Sequence, residues 1–241
     1  MAVEILKSKG IYRKAFKWIV ENSTSNNLPY HNMNHLMSVF SSCYDACNFY
    51  HIVDMNGEAG EIELSLAALF HDVNHSGGKL SDDKNIEIAI DSFSNFTDSL
   101  DDDMKHTFNK DNVIETIKAT QYPYEVTDIK ELTLYQRILR DADLISAFDG
   151  DWIQSVVFGL REEMGVTTLE ERIQQQVGFI LNLKPCTDWG TTKLEKTKGR
   201  TLNELANILS IMQDKEYKTT TSPDDETITI HNDNMKSEEE V

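Results

Sequence analysis

Three short stretches of this chain set imidazole and carboxylate groups at spacings that suit a metal ion. In Tyr30-His31-Asn32-Met33-Asn34-His35 two histidines stand four residues apart, which on a helix puts them on one face. In His71-Asp72-Val73-Asn74-His75 a histidine and an aspartate follow an apolar run without a spacer, and a second histidine comes four residues later. In Asp141-Ala142-Asp143 two acids are separated by one alanine. Imidazole nitrogen together with carboxylate oxygen suits zinc, iron or manganese. Each stretch has a plainer account when taken alone. His71 can cap a helix end with Asp72 in water, His31 and His35 can be satisfied core histidines, and one of Asp141 and Asp143 can be a helix N-cap. Together, His35, His71, Asp72 and one of the two later aspartates make two imidazoles and two carboxylates, a set that leaves coordination positions open for water.

The elements that would carry these groups are helical. Residues 11–20 show helical periodicity and a polar linker follows, closed by Pro29. Leu36, Val39, Phe40, Cys43, Ala46 and Cys47 recur at three and four after His31 and His35. Residues 50–60 form a loop marked by Gly57 and Gly60. Residues 61–70 are apolar almost all round, so that helix is buried and delivers His71 and Asp72 to the interior, where polar groups need partners. A flexible loop, 76–80, precedes a helix capped by Ser81-Asp82-Asp83. Helices follow at 112–120, from 133 onward, at 169–183 and at 194–212. The expected fold is all-α, a compact multi-helix bundle.

Composition removes several classes of function. A formal charge of −18 excludes a basic nucleic-acid face, and it means that a phosphate substrate would need cations to reverse the local field. The three cysteines, with Cys43 and Cys47 on one apolar stripe, form no disulfide framework. No segment has the apolar length of a membrane span and the N-terminus lacks a signal sequence, so a reducing, cytoplasmic setting is expected. The organisation expected is an N-terminal helix and linker over 1–29, a catalytic domain over 30–215, and an acidic disordered tail over 216–241, where seven acids face one lysine from residue 222 onward.

Gln176 and Phe179 lie three apart on one helical face. An amide beside an aromatic ring suits a nucleobase, the ring stacking while the amide bonds the base edge, although a core Phe beside a surface Gln is the commoner arrangement. With this pair the pattern resembles the HD-domain metal-dependent phosphohydrolases. It is most similar to the catalytic domain of class I 3′,5′-cyclic nucleotide phosphodiesterases. The resemblance is carried by Tyr30-His31-Asn32 with His35, by His71-Asp72-Val73 with His75, by Ile117-Lys118-Ala119-Thr120, by Ala142-Asp143-Leu144, and by Gln176-Val177-Gly178-Phe179-Ile180.

The resemblance implies that His35, His71, Asp72 and Asp143 hold a first cation, zinc. Asp72 would bridge to a second, magnesium or manganese, with His75 in its outer shell. It further implies that His31 protonates the leaving oxygen while a water activated between the cations attacks phosphorus. Tyr30, Gln176 and Phe179 would contact the substrate, cAMP or cGMP, a small molecule rather than a nucleic acid or membrane. The chain departs from the family pattern at Lys84-Asn85-Ile86-Glu87, where the family's glutamate that orients the acid histidine has only Glu87 as a candidate. It departs again at Gln121, where an aspartate is usual and the water shell of the second cation would be altered. Other activities compatible with the residues are an HD-type nucleotidase or dNTP phosphohydrolase, and a non-catalytic module that sequesters nucleotides.

Overall fold

The computed structural model describes residues 10–52, 59–123, 129–148, 150–165, 168–213, 217–222 and 225–232. Their helices, in order, are α1 (Gly10–Asn22), α2 (Met33–Phe49), α3 (Ala59–Phe70), α4 (Asp82–Asp98), α5 (Asp102–Lys105), α6 (Lys110–Lys118) and α7 (Leu134–Ser146). A π-helical segment, Ile153–Leu160, runs directly into α8 (Arg161–Glu163), followed by α9 (Leu169–Asn182) and α10 (Asp188–Gln213). The body is all-helical, as the periodicity requires. No helix among the described residues is long and apolar enough to cross a membrane.

The buried helix predicted to end in His71 is α3, and every side chain from Glu61 to Phe70 is buried. Each fully buried Leu or Phe contributes about 1.5–3 kcal/mol, so α3 can carry a few polar groups inward provided they are bonded. Glu61 accepts the Tyr12 hydroxyl of α1 at 3.0 Å. Glu63 accepts Asn109 N at 2.8 Å and Asn112 Nδ2 at 3.1 Å, which fixes the start of α6. The α2 stripe is buried as expected, Cys43 and Cys47 are free thiols within it, and Asn32 caps the helix by accepting Asn34 N at 2.8 Å. Thr133 and Gln136 form a reciprocal capping box on α7.

Two apolar cores result. The larger gathers α1–α4, α6 and α7, with Trp189 from α10. The smaller gathers Phe148, Trp152, Val156, Val157, Ile173, Ile180, Leu194, Leu202 and Leu205 from the π segment, α9 and α10. Residues of both line one cleft of roughly 470 Å³.

Two sequence expectations are corrected. Asp141 and Asp143 are not N-caps, since both lie inside α7. Ser81 precedes α4 but makes no side-chain cap bond, while Asp82 accepts Tyr122 N across the cleft at 2.6 Å. Beyond α10 an antiparallel hairpin pairs β1 (Tyr217–Ser222) with β2 (Asp225–Asn232). Its β-branched runs, Thr219-Thr220-Thr221 and Thr227-Ile228-Thr229-Ile230, favour extended backbone despite the acids around them. Of the loop expected at 50–60, residues 53–58 lie outside the described residues.

Gly159 of the π segment lets it approach the turn before Tyr30, because a Cβ there would sit 2.5 Å from the Pro29 carbonyl oxygen. Backbone on both sides leaves no flexible group to yield. Gly159→Ala should therefore lower stability by about 1–3 kcal/mol, the usual cost of overpacking. Thermal unfolding checks this; an unchanged Tm would mean that the close approach is dispensable.

Candidate metal centre

Four of the predicted residues converge. His35 comes from the first turn of α2, His71 and Asp72 from the end of α3, and Asp143 from the last turns of α7. His35 Nε2 is 3.0 Å from Asp72 Oδ2 and 3.2 Å from Asp143 Oδ1. His71 Nε2 is 3.2 Å from Asp72 Oδ2, 3.6 Å from Asp143 Oδ1 and 3.3 Å from His35 Nε2. A cation bonded at ~2.0–2.2 Å holds neighbouring ligand atoms about 2.8–3.6 Å apart, for octahedral to tetrahedral angles. All five separations fall in that range.

The outer nitrogen of each imidazole is engaged elsewhere. His71 Nδ1 donates to Ala68 O at 2.8 Å, so Nε2 faces inward. Ser146 Oγ donates to Asp143 O at 2.6 Å, which leaves its oxygen to accept from His35 Nδ1 at 3.4 Å. The centre is thus ringed by two imidazole nitrogens and two carboxylate oxygens, all acceptors. Both histidines are buried, and burial alone would depress their pKa values; the Asp72 and Asp143 carboxylates outweigh it and hold both above the ordinary histidine value. Asp72 and Asp143 are pulled the other way, well below the carboxylate range, because the imidazoles outweigh burial. The residues fit a divalent metal with mixed nitrogen and oxygen ligands.

Asp141, two residues before Asp143, points away from the centre. It accepts Cys186 N at 2.7 Å and Thr187 Oγ1 at 2.6 Å, and burial raises its pKa to about 6. Its role is to tie α7 to the start of α10.

Beside the centre stand the other predicted histidines. Asn74 turns the chain through a left-handed backbone (φ 63°), its amide oxygen accepting Thr24 N at 2.6 Å. That turn sets the His75 ring against His31, centroids 3.6 Å apart and stacked. His75 Nδ1 accepts Gly77 N at 3.1 Å. Burial lowers the His75 pKa to about 4, so the ring is neutral at neutral pH. Tyr30 packs over His35 with centroids 4.8 Å apart, and burial together with the Asp143 charge keeps its phenol protonated.

The partner of His31 is not Glu87, which is exposed and pairs with Lys84 at 2.7 Å. It is Glu163 of α8. Glu163 Oε2 lies 2.5 Å from His31 Nδ1, and Oε1 accepts Tyr30 N at 2.5 Å and His31 N at 3.0 Å. Burial would raise the Glu163 pKa, but these bonds outweigh it and keep the carboxylate ionised. Gly78, at φ 76°, lets the loop after His75 press on the Glu163 carbonyl, which a Cβ at that position would overlap. Gln121 lies outside the cleft, in a separate surface hollow with Glu115, Lys118 and Arg140. Thr120 and Asp82 line the cleft instead.

Gln176 and Phe179, on α9, line the same cleft as His31, Asp72 and Asp143. Gln176 is 2% exposed, and Phe179 stacks against Phe148 with centroids 6.5 Å apart. Sequence reasoning missed Glu163, Asp82 and Arg172 as cleft residues.

No family model and no curated protein matches this chain. Among solved structures, two crystal structures of the phosphodiesterase domain of a rhodopsin–phosphodiesterase fusion from the choanoflagellate Salpingoeca rosetta share the fold. They do so at TM-scores of 0.62 and 0.63, each at 18% identity and with 88% of both chains covered. The expected phosphodiesterase-like fold is therefore the one adopted.

Asp143→Asn removes one anionic ligand from the cage. It should abolish stoichiometric binding of a divalent ion while the helical circular dichroism stays unchanged, as checked by metal analysis after dialysis. In the wild type, loading should release protons near neutral pH, because His35 and His71 hold theirs above the ordinary range. Calorimetry in buffers of different ionisation enthalpy reads that release; its absence would refute the acceptor-cage description.

Proposed function

We propose that this chain is a metal-dependent phosphodiesterase that opens 3′,5′-cyclic nucleotides to 5′-monophosphates. One observation carries the reading: two carboxylates of a four-residue candidate metal cage, a carboxylate-held histidine and an amide–aromatic pair all line one cleft. His35, His71, Asp72 and Asp143 would hold a first ion, zinc by its preference for mixed N/O sites, and Asp72 would share a second, magnesium or manganese. Such ions, when bound, supply Lewis-acid neutralisation of the phosphate and a water of lowered pKa.

The protein's own groups do the rest. Water oxygen adds to phosphorus as one of its protons leaves to solvent, the P–O3′ bond breaks, and O3′ takes a proton from a donor that solvent then reprotonates. His31 is the donor in this reading. Its Nδ1 is held by ionised Glu163 at 2.5 Å, which orients the ring and leaves Nε2 to deliver the proton. The stacked ring of His75 is neutral, so it adds no positive charge against His31. Tyr30 braces His35, and Gln176 and Phe179 grip the base.

The metal-loaded protein should convert cAMP or cGMP to the 5′-monophosphate and leave 5′-monophosphates and dNTPs intact, with products identified by chromatography. Phosphate from a monophosphate, or triphosphate from a dNTP, would overturn the assignment. Glu163→Gln should lower kcat on cyclic nucleotides by about 10²-fold or more with little change in KM, as general acid help is worth ~10²–10⁴-fold. A p-nitrophenyl phosphodiester, whose leaving group needs no proton, should lose far less. Equal losses on both would remove His31 from the acid role.

A further inference from the structure

Three large apolar side chains stand exposed at the mouth of the cleft: Leu80 at 49%, Tyr122 at 58% and Met164 at 57%. Apolar side chains scattered singly over a surface are ordinary, but these three lie on segments that touch one another. Leu80 sits between Gly78, whose backbone presses on the Glu163 carbonyl beside Met164, and Asp82, which accepts Tyr122 N at 2.6 Å. Together they make one apolar rim.

The rim is on the side of the proton donor. Met164 follows Glu163, which holds His31, and Leu80 ends the loop that leaves His75, whose ring stacks on His31. The base grip belongs to a different element, α9. A cyclic substrate gives this rim no task. Its O3′ is part of the same ribose that carries the gripped base, so the freed oxygen stays attached to the gripped nucleoside. In a linear diester the alcohol expelled beside His31 is a separate group, and it lies against the rim.

Resting on the phosphodiesterase reading of the cleft, we infer that Leu80, Tyr122 and Met164 form a leaving-group subsite for a second nucleoside, and that the chain also cleaves linear dinucleoside monophosphates. One nucleoside occupies the Gln176–Phe179 grip and keeps its 5′-phosphate. The base of the other packs on the rim. Water oxygen adds to phosphorus as one of its protons leaves to solvent. The bond from phosphorus to O3′ of the second nucleoside breaks, and His31 gives that O3′ a proton that solvent then replaces. The products are a nucleoside and a 5′-monophosphate. A flat ring suits this rim better than an alkyl chain. Tyrosine stacks on any base and methionine sulfur favours a ring edge, whereas an open rim leaves most of a chain in water. A dinucleoside monophosphate carries one negative charge, so a body of −18 repels it far less than a polynucleotide.

The test uses the metal-loaded full chain and three adenine diesters: ApA, its abasic analogue, in which a tetrahydrofuran sugar replaces the leaving nucleoside, and cAMP; the guanine series runs in parallel. The abasic diester keeps the gripped base and the leaving oxygen and lacks only the second base. ApA should give adenosine and 5′-AMP with kcat/KM at least about 10-fold above the abasic diester, the worth of one stacked base. The double variant Tyr122→Ser, Met164→Ser alters exposed side chains only. It should remove that advantage, mainly through KM, and leave the abasic diester and cAMP unchanged. Equal cleavage of ApA and the abasic diester, release of a 3′-monophosphate, or an equal loss on all three substrates in the variant would overturn the subsite. An octyl ester of 5′-AMP that outpaces ApA would make the rim a chain-binding surface and overturn the second-base assignment. Rim-dependent cleavage of ApA without turnover of cAMP or cGMP would sink the cyclic-nucleotide reading and keep the subsite. Turnover of cyclic nucleotides with ApA untouched would sink the subsite alone, and no turnover of any diester would sink both.

Discussion

Four hydrogen-bond acceptors meeting in a buried space are unfavourable unless something positive stands among them. His35, His71, Asp72 and Asp143 make such a space, with donor atoms 3.0–3.6 Å apart in each measured pair and with the outer nitrogens of both imidazoles bonded outward. Much of the surrounding architecture serves that convergence. Helix α3 is buried all round so that its last residues are delivered to the interior, and α2 and α7 flank it to supply one ligand each. Burial and charge act on the same groups in opposite directions. Burial alone would neutralise both acids and both bases, whereas their mutual proximity keeps the acids ionised and raises the affinity of the bases for a proton or a metal.

The ligand set was legible because helices repeat every 3.6 residues and because an apolar run that ends in His-Asp carries two polar groups into the interior, where they need a shared partner. What was readable but unused is the geometry of Asp141 and Asp143. Residues two apart on a helix project about 200° from each other, so they cannot serve one site. Treating 141–146 as helix interior would have sent Asp143 inward and Asp141 toward the Cys186 turn, as found. Arg172 and Gln176 had the i, i+4 spacing of facing side chains. Their burial was not legible, because an arginine on a mixed polar helix is ordinarily solvated.

Glu163 was not legible at all. It lies 132 residues from His31 and sits in Arg161-Glu162-Glu163, a charge run indistinguishable from a solvent-facing turn. No local pattern encodes a contact of that range. The same holds for the π-helical segment, which approaches Pro29 at Gly159 and leaves no periodic trace over its eight residues.

The two cores divide the chemistry between them. The larger holds the metal ligands, while the smaller, through α9, holds the amide and the ring. A reaction that needs both must fix one core against the other more tightly than apolar contact alone would. Glu163 does this with one carboxylate. Leaving the π segment, it takes up the backbone N–H groups of Tyr30 and His31 and the His31 ring together. Gly159 and Gly78 allow the backbones on either side to come within contact distance. The residue that orients the imidazole is therefore also the one that joins the two halves of the cleft. A shift between the cores would move His31 and the base grip in the same event, so alignment of the reacting groups is coupled to the packing that closes the fold.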